Sequence, residues 1–318
     1  MGTILAVGNG VIDISVRSIN ELDFNADTHL LSDLQMSTGG DTMNTAIHLT
    51  RLGIDVALVC RNGDDAFSSI IRDKMVSEGI STRFMKVIPG GKCSVALVVV
   101  NDDGERSFYV RRGVNSEVCI DDVDLDTLGE YRIVHSSNYY VLPKLMGDGA
   151  ARLFAEAKRQ GCTTTLDITH DMTGRWMETL QGCLPNIDYF LPSFKEARAV
   201  TKTDDPLKMA QILMDAGVRN VIIKMGSDGC YFKNAQQEFH VPAFDVPVVD
   251  TTGAGDSFVA GFLAGLANGW DNADSCRFAN ALAANCVQYL GATTGRMDRE
   301  AVERFIEQTP IKKPTWSL

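Results

Sequence analysis

Val248-Val249-Asp250-Thr251-Thr252-Gly253-Ala254-Gly255-Asp256-Ser257-Phe258 runs from a β-branched strand end, through a glycine-containing turn, into the three- and four-residue apolar spacing of a helix over 256–267. A strand-to-helix junction of this kind leaves the N–H groups of the first helical turn without partners and aims them at one point. Gly253 and Gly255 let the backbone come close to a ligand there. The unpaired amides at the helix start favour an anion such as a transferring phosphoryl group. Asp256 then stands on the first helical turn, beside that anion, where a carboxylate can take the proton of an attacking hydroxyl. The same aspartate could instead only complement the helix dipole, an effect of about 0.3–1 kcal/mol, and the local sequence leaves both readings open.

Outward from this junction the chain alternates short apolar runs with longer amphipathic ones. Strands are predicted at Ile4–Val7, Val56–Cys60, Ile133–His135, Thr163–Ile168, Tyr189–Leu191 and Val221–Lys224. Helices are predicted over 42–52, 65–78, 147–160, 208–216 and 256–267. Such alternation predicts βαβ units around a mostly parallel sheet, hence one doubly wound α/β/α domain spanning residues 1–318. One segment departs from the pattern: Ser94–Val100, the turn Asn101-Asp102-Asp103-Gly104 and Glu105–Arg111 read as an inserted β-hairpin. A hairpin needs further strands, and the strand-compatible pieces within 14–34 offer them.

Two more glycine clusters bear polar groups. Gly39-Gly40-Asp41-Thr42-Met43-Asn44 leads into a helix, and Asp41 and Asn44 can bond hydroxyls. Asp13 follows the first strand, near the sheet edge where α/β folds bind ligands. Gly8-x-Gly10 lacks the third glycine of a dinucleotide fingerprint, and no P-loop occurs. A net charge of −11 argues against a non-specific nucleic-acid or membrane-surface partner. The start reads as a strand and not a signal peptide, the run Val95–Val100 is too short to cross a bilayer, and the eight scattered cysteines read as reduced thiols. Together these predict a cytoplasmic protein. His170, between Asp167 and Asp171, is the one histidine in an acidic setting and reads as a loop residue more readily than as a metal ligand.

The chain resembles the ribokinase-like (PfkB) family of carbohydrate kinases. Asp250–Phe258 matches the family's Asp-Thr-x-Gly-Ala-Gly-Asp-x-Phe signature, and Gly39, Gly40 and Asn44 match its Gly-Gly-x-x-x-Asn signature. Lys224-Met225-Gly226-Ser227-Asp228-Gly229 resembles the nucleotide-side strand and turn, and Asp167 through Arg175-Trp176 resembles a further family region. The resemblance implies Asp256 as catalytic base and Gly253, Ala254 and Gly255 as the anion hole. It implies a sugar held by Asp13, Gly39, Gly40, Asp41 and Asn44, and ATP along Lys224, Gly226, Ser227, Gly229, Gly255 and Asn280. Asp250 and Thr252, with carbonyls near Gly291, resemble a monovalent-cation (K⁺) site. Segments of about 14–36 and 93–112 would form the lid, and a homodimer through that lid sheet would cover its apolar face. Mg²⁺ is implied with ATP. Where relatives carry Asn-x-x-Glu to organise it, this chain has Ser193-Phe194-Lys195-Glu196, which is also a helix capping box.

For the acceptor, Asp41-Thr42 after the paired glycines is closer to kinases of 2-keto-3-deoxygluconate than to ribokinases. Arg106 and Arg111, with Arg112, could offer guanidinium groups to an acidic sugar. The expectation is therefore an ATP-dependent kinase of a small sugar or sugar acid. The alternatives are a nucleoside kinase of the same family, for which Phe108 and Tyr109 are available to stack, and a non-catalytic sugar-binding regulator.

Overall fold

The computed structural model describes residues 2–17, 27–101 and 106–316, and of Arg106 the backbone alone. Strands are β1 Gly2–Val7, β2 Val11–Arg17, β3 Asp33–Gly39, β4 Val56–Asn62, β5 Met85–Val87, β6 Val95–Val100, β7 Arg106–Arg111, β8 Tyr131–Ser136, β9 Thr163–Leu166, β10 Tyr189–Phe190, β11 Asn220–Lys224, β12 Cys230–Lys233 and β13 Glu238–Val241. Helices are α1 Asp41–Arg51, α2 Ala66–Ser77, α3 Asp148–Arg159, α4 Met177–Leu180, α5 Phe194–Thr201, α6 Pro206–Asp215, α7 Ala254–Asn268, α8 Asn272–Cys286 and α9 Arg299–Gln308.

Nine strands form one sheet in the order β13-β12-β11-β10-β9-β8-β1-β4-β5. It is parallel from β11 to β5, and β12 and β13 add an antiparallel edge. Alternate residues of β1 face opposite sides: Ile4 and Ala6 pack with α1, α7 and α8, while Leu5 and Val7 pack with α3. Helices therefore cover both faces, and a parallel sheet must be buried in this way. The expected helices form within about two residues of their predicted ends, and Asp65 caps α2 by accepting from the Ser68 N–H. The Ser193–Glu196 capping box opens α5, while α4, α8, α9 and the β12–β13 edge were not anticipated.

The predicted hairpin is β6–β7, with Val95 opposite Arg111. It joins β2 and β3 in a separate sheet of four strands, order β3-β2-β6-β7. Residues 102–104 of the expected turn, with residue 105, and residues 18–26 of the expected lid lie outside the described residues. Leu34, Met36, Phe108, Tyr109 and Val110 leave this small sheet with exposed apolar surface. No helix among the described residues is long and apolar enough to cross a membrane. All eight cysteines carry free thiols.

Candidate active site

α7 begins at Ala254, and its first intrahelical bond runs from the Ser257 N–H to the Gly253 carbonyl at 2.9 Å. The amides of Gly255 and Asp256 precede that bond and point out of the helix end. Gly253 adopts φ 79°, and a Cβ on it would lie 2.4 Å from the Ala292 Cβ, so only glycine fits. The half-buried Asp256 carboxylate accepts from Asn44 Nδ2 at 2.8 Å, which ties α7 to α1. Loss of water around it raises the Asp256 carboxyl from its ordinary value to about 7; the Asn44 bond opposes this, and the charge of Asp167 adds to it. A carboxylate that titrates near neutrality beside unpaired amides can accept a proton while an anion binds next to it.

Lys224, at the end of β11, donates to both oxygens of Asp167 at 2.8 Å. Asp167 follows the end of β9. Burial works against the Lys224 ammonium, but Asp167, Glu196 and Asp256 outweigh it and its pKa is raised. A Cβ on Gly255 would lie 3.6 Å from the Lys224 Nζ, so this fixed positive charge sits at the mouth of the helix-end pocket. On the other side of Lys224 opens a cleft of about 250 Å³ lined by Gly226, Ser227, Gly229, Gly255 and Asn280, with Phe244, Val246 and Val287 as apolar walls. The sequence-predicted nucleotide residues thus converge on one cavity. Asn280 is anchored there through Nδ2 to the carbonyls of Val241 and Pro242 at 2.9 and 3.2 Å.

The predicted sugar residues gather across Asp256. Asp13 lies over Gly39, where any Cβ would come within 2.0 Å of its Oδ2. Burial raises the Asp13 carboxyl to about 6. Asp41 is raised well above the usual carboxylate range, by burial first and then by the charges of Asp256 and Glu196. Asn9 and Asn138 meet at 2.7 Å beside the Asp41 carboxylate, and Asn115 Nδ2 holds the Gly10 carbonyl at 2.8 Å. The Oδ1 atoms of Asn44 and Asn115 are buried without partners. Asp167, Asn115, Asn138 and Asn9 were not chosen as site residues from sequence.

Arg111 does not enter this pocket as expected for an acidic sugar. Its guanidinium donates to the Cys93 carbonyl at 3.0 Å and lies 3.9 Å from Asp65, because its place opposite Val95 turns it toward the start of α2. The Arg106 side chain lies outside the described residues. Arg112 donates to the Met172 thioether at 3.7 Å. His170 packs edge-on against Trp176, and no group of three acidic, histidine or cysteine residues fit for a metal occurs among the described residues.

Asp250, Thr252 and Gly291 do meet. Asp250 Oδ1 accepts from the Thr252 N–H and Oγ1 at 3.0 and 2.8 Å, and Oδ2 accepts from the Gly291 N–H at 2.9 Å. The Ser193–Glu196 capping box is formed, with the Ser193 N–H donating to Glu196 Oε2 at 2.7 Å. Glu196 also bears electrostatically on Asp41 and Lys224, so capping and proximity to the site coexist.

A doubly wound sheet that brings a glycine turn at a helix end, the Asp256 carboxylate and the Lys224 ammonium beside one cleft is the setting of a small-molecule phosphotransferase with an alcohol acceptor. The chain belongs to the pfkB family of carbohydrate kinases, whose model matches residues 1–299. It is 30% identical over 247 residues to an uncharacterized sugar kinase of Archaeoglobus fulgidus, covering 78% of this chain and 97% of the relative. It is 27% identical over 309 residues to an ATP-dependent ribose-1-phosphate kinase of Halopiger xanaduensis, covering 97% and 99%. The structure of Arabidopsis thaliana ribokinase complexed with ribose and ATP matches with TM-score 0.85 at 25% identity, covering 96% of this chain and 99% of that one. The ribokinase-like fold is thereby established.

Proposed function

We propose that this protein transfers the γ-phosphate of ATP to a hydroxyl of a small, neutral, polyhydroxylated sugar. The observation that carries the reading is the Asp256 carboxylate, fixed by Asn44 at the end of α7 within reach of the Lys224 charge. In this reading Asp256 takes the acceptor hydroxyl's proton as the oxygen attacks phosphorus, and ADP leaves toward the cleft at Asn280. The amides of Gly253 and Gly255, with Lys224, balance charge on the transferring group, while the Ala254 N–H, expected to join them, donates to the Thr251 carbonyl at 3.3 Å.

The acceptor side favours a neutral polyol over a sugar acid. Asp13 and the unpartnered Oδ1 atoms of Asn44 and Asn115 are acceptors, and a ligand rich in O–H donors satisfies them. A carboxylate ligand would face Asp13, Asp41 and Asp256 while Arg111 is engaged elsewhere. Mg²⁺ suits a site that leaves its carboxylates engaged. Glu196, which accepts from the Ser193 N–H, would help hold the ion, and the ion would neutralise phosphate charge. Asp250, Thr252 and the carbonyls near Gly291 make an oxygen-only set suited to K⁺, which would steady the helix-end turn. The free thiols support a cytoplasmic setting, and a homodimer would cover the apolar face of the small sheet, which serves as the lid.

The test is Mg-ATP-dependent ADP release across neutral pentoses and hexoses, sugar acids, sugar phosphates and nucleosides, with Asp256→Asn as the blank. Turnover confined to neutral sugars is expected. Preference for sugar acids or for nucleosides would replace the acceptor class while leaving the kinase reading in place.

A further inference from the structure

One face of α1 holds two parts of the site together. Asn44, His48 and Arg51 are spaced by four and three residues and so lie along one side of the helix. At one end Asn44 Nδ2 grips the Asp256 carboxylate at 2.8 Å, and Thr45 Oγ1 reaches the Asp256 carbonyl at 3.4 Å. At the other end Arg51 donates to the Thr293 carbonyl at 2.5 Å. His48, fully enclosed between them, has its Nε2 3.0 Å from the Ala292 carbonyl and 3.0 Å from Ser257 Oγ. A carbonyl only accepts, so Nε2 carries the proton and donates to Ala292. Burial lowers the imidazole to about 4, and the ring is therefore neutral in this arrangement at ordinary pH.

Ala292 is the residue against which Gly253 packs, with only 2.4 Å left for a Cβ between them, and it follows Gly291, whose N–H holds Asp250. Ser257 lies in the first turn of α7, one residue after Asp256. His48 is thus bonded at once to the loop that backs the glycine turn and to the helix that presents the base, from the helix that orients the base.

We infer that His48 is a positioning residue for phosphoryl transfer: its Nε2–H fixes the Ala292 carbonyl and, through Ala292, the Gly253 turn relative to Asp256. The inference rests on the proposed phosphotransfer role of that turn. An apolar residue at position 48 would suffice if the contact only filled space; the bond to Ala292 predicts dependence on a donor at the Nε2 position. Glutamine places its amide nitrogen near the Nε2 position, whereas asparagine stops near Nδ1 and leaves the carbonyl unbonded.

The experiment compares His48→Gln, His48→Asn, wild type and Asp256→Asn for kcat, for KM of ATP and of the accepted sugar, and for melting temperature. His48→Asn is expected to lower kcat by about tenfold or more with both KM values within about threefold, since small displacements of reacting groups are costly in rate and not in binding. His48→Gln is expected to keep most of the turnover at a similar melting temperature. Equal turnover of the two variants, whether both near wild type or both low, overturns the inference, as does a rise in KM without loss of kcat. An active wild type with a dead Asp256→Asn keeps the kinase reading standing in either case.

Discussion

Replacing Asp256 by asparagine separates its chemistry from its cost to the fold. The side chain keeps its shape and an oxygen to accept from Asn44 Nδ2, so the 2.8 Å contact survives. What disappears is the carboxylate, whose pKa rises from 3.8 to about 7 in the fold. A group that binds its proton more tightly when folded stabilises the protein fully below pH 3.8, and that contribution is lost as pH rises through about 7. The full difference is worth up to about 4 kcal/mol, and contact with cleft water reduces it to about 2 kcal/mol. Asp256→Asn is therefore expected to match wild type in stability near pH 4 and to exceed it increasingly up to pH 8, by about 4 °C in melting temperature. Turnover falls at the same time by about 10² to 10⁴, because binding and the helix-end amides remain. The wild-type kcat/KM should itself rise with pH through about 7, where the free base deprotonates. Thermal melts at pH 4, 6 and 8 and ADP release measure both arms. A stability difference that does not grow with pH would refute the raised carboxyl, and near-normal turnover would refute the base.

Gly253→Ala places a methyl 2.4 Å from the Ala292 Cβ at φ 79°; it should cost about 10² in turnover and lower the melting temperature, and a fully active variant would exclude a tight helix-end pocket. Lys224→Met strands the Asp167 carboxylate and should cost about 3 kcal/mol of stability. Adding Asp167→Asn should restore stability and not turnover, as melts and rates on the double variant will read. Arg111→Ser should leave the KM of a neutral sugar within about twofold, and a tenfold rise would return the arginine to the pocket.

What could be read from the chain follows from how far apart the partners lie. The turn at Gly253 and the base after it are contiguous, so local rules reach them. Asn44 and Asp256 meet across 212 residues, and only the resemblance to known kinases joined them. α8 escaped notice because most of its sides are buried: Cys276, Phe278, Ala279, Ala281, Leu282 and Ala284 leave no clean apolar stripe for periodicity to detect. β12 and β13 form an antiparallel edge where the alternation of strands and helices stops, so the βαβ pattern does not reach them. Arg111 was misread for a different reason. Sequence supplies a guanidinium but not its direction, and the register of β6 against β7 decides that it meets Cys93.

A general feature of parallel sheets would have found more than the motifs did. β1, β8, β9 and β11 all run the same way, and open α/β sheets bind ligands beyond the carboxyl ends of their strands. Polar residues at or just past those ends include Asn9, Asn138, Asp167 and Lys224. Two of these pairs bond to each other, Asn9 with Asn138 and Asp167 with Lys224. Strand prediction at β1, β8 and β11 put Asn9, Asn138 and Lys224 within reach of the sequence once strand direction was assumed; Asp167 fell inside the strand expected over Thr163–Ile168, which ends at Leu166. Asn115 and His48 were not within reach. Each lies on a separate element, and its role exists only where Gly10 or Ala292 is brought to it by the crossing of chain segments distant in sequence.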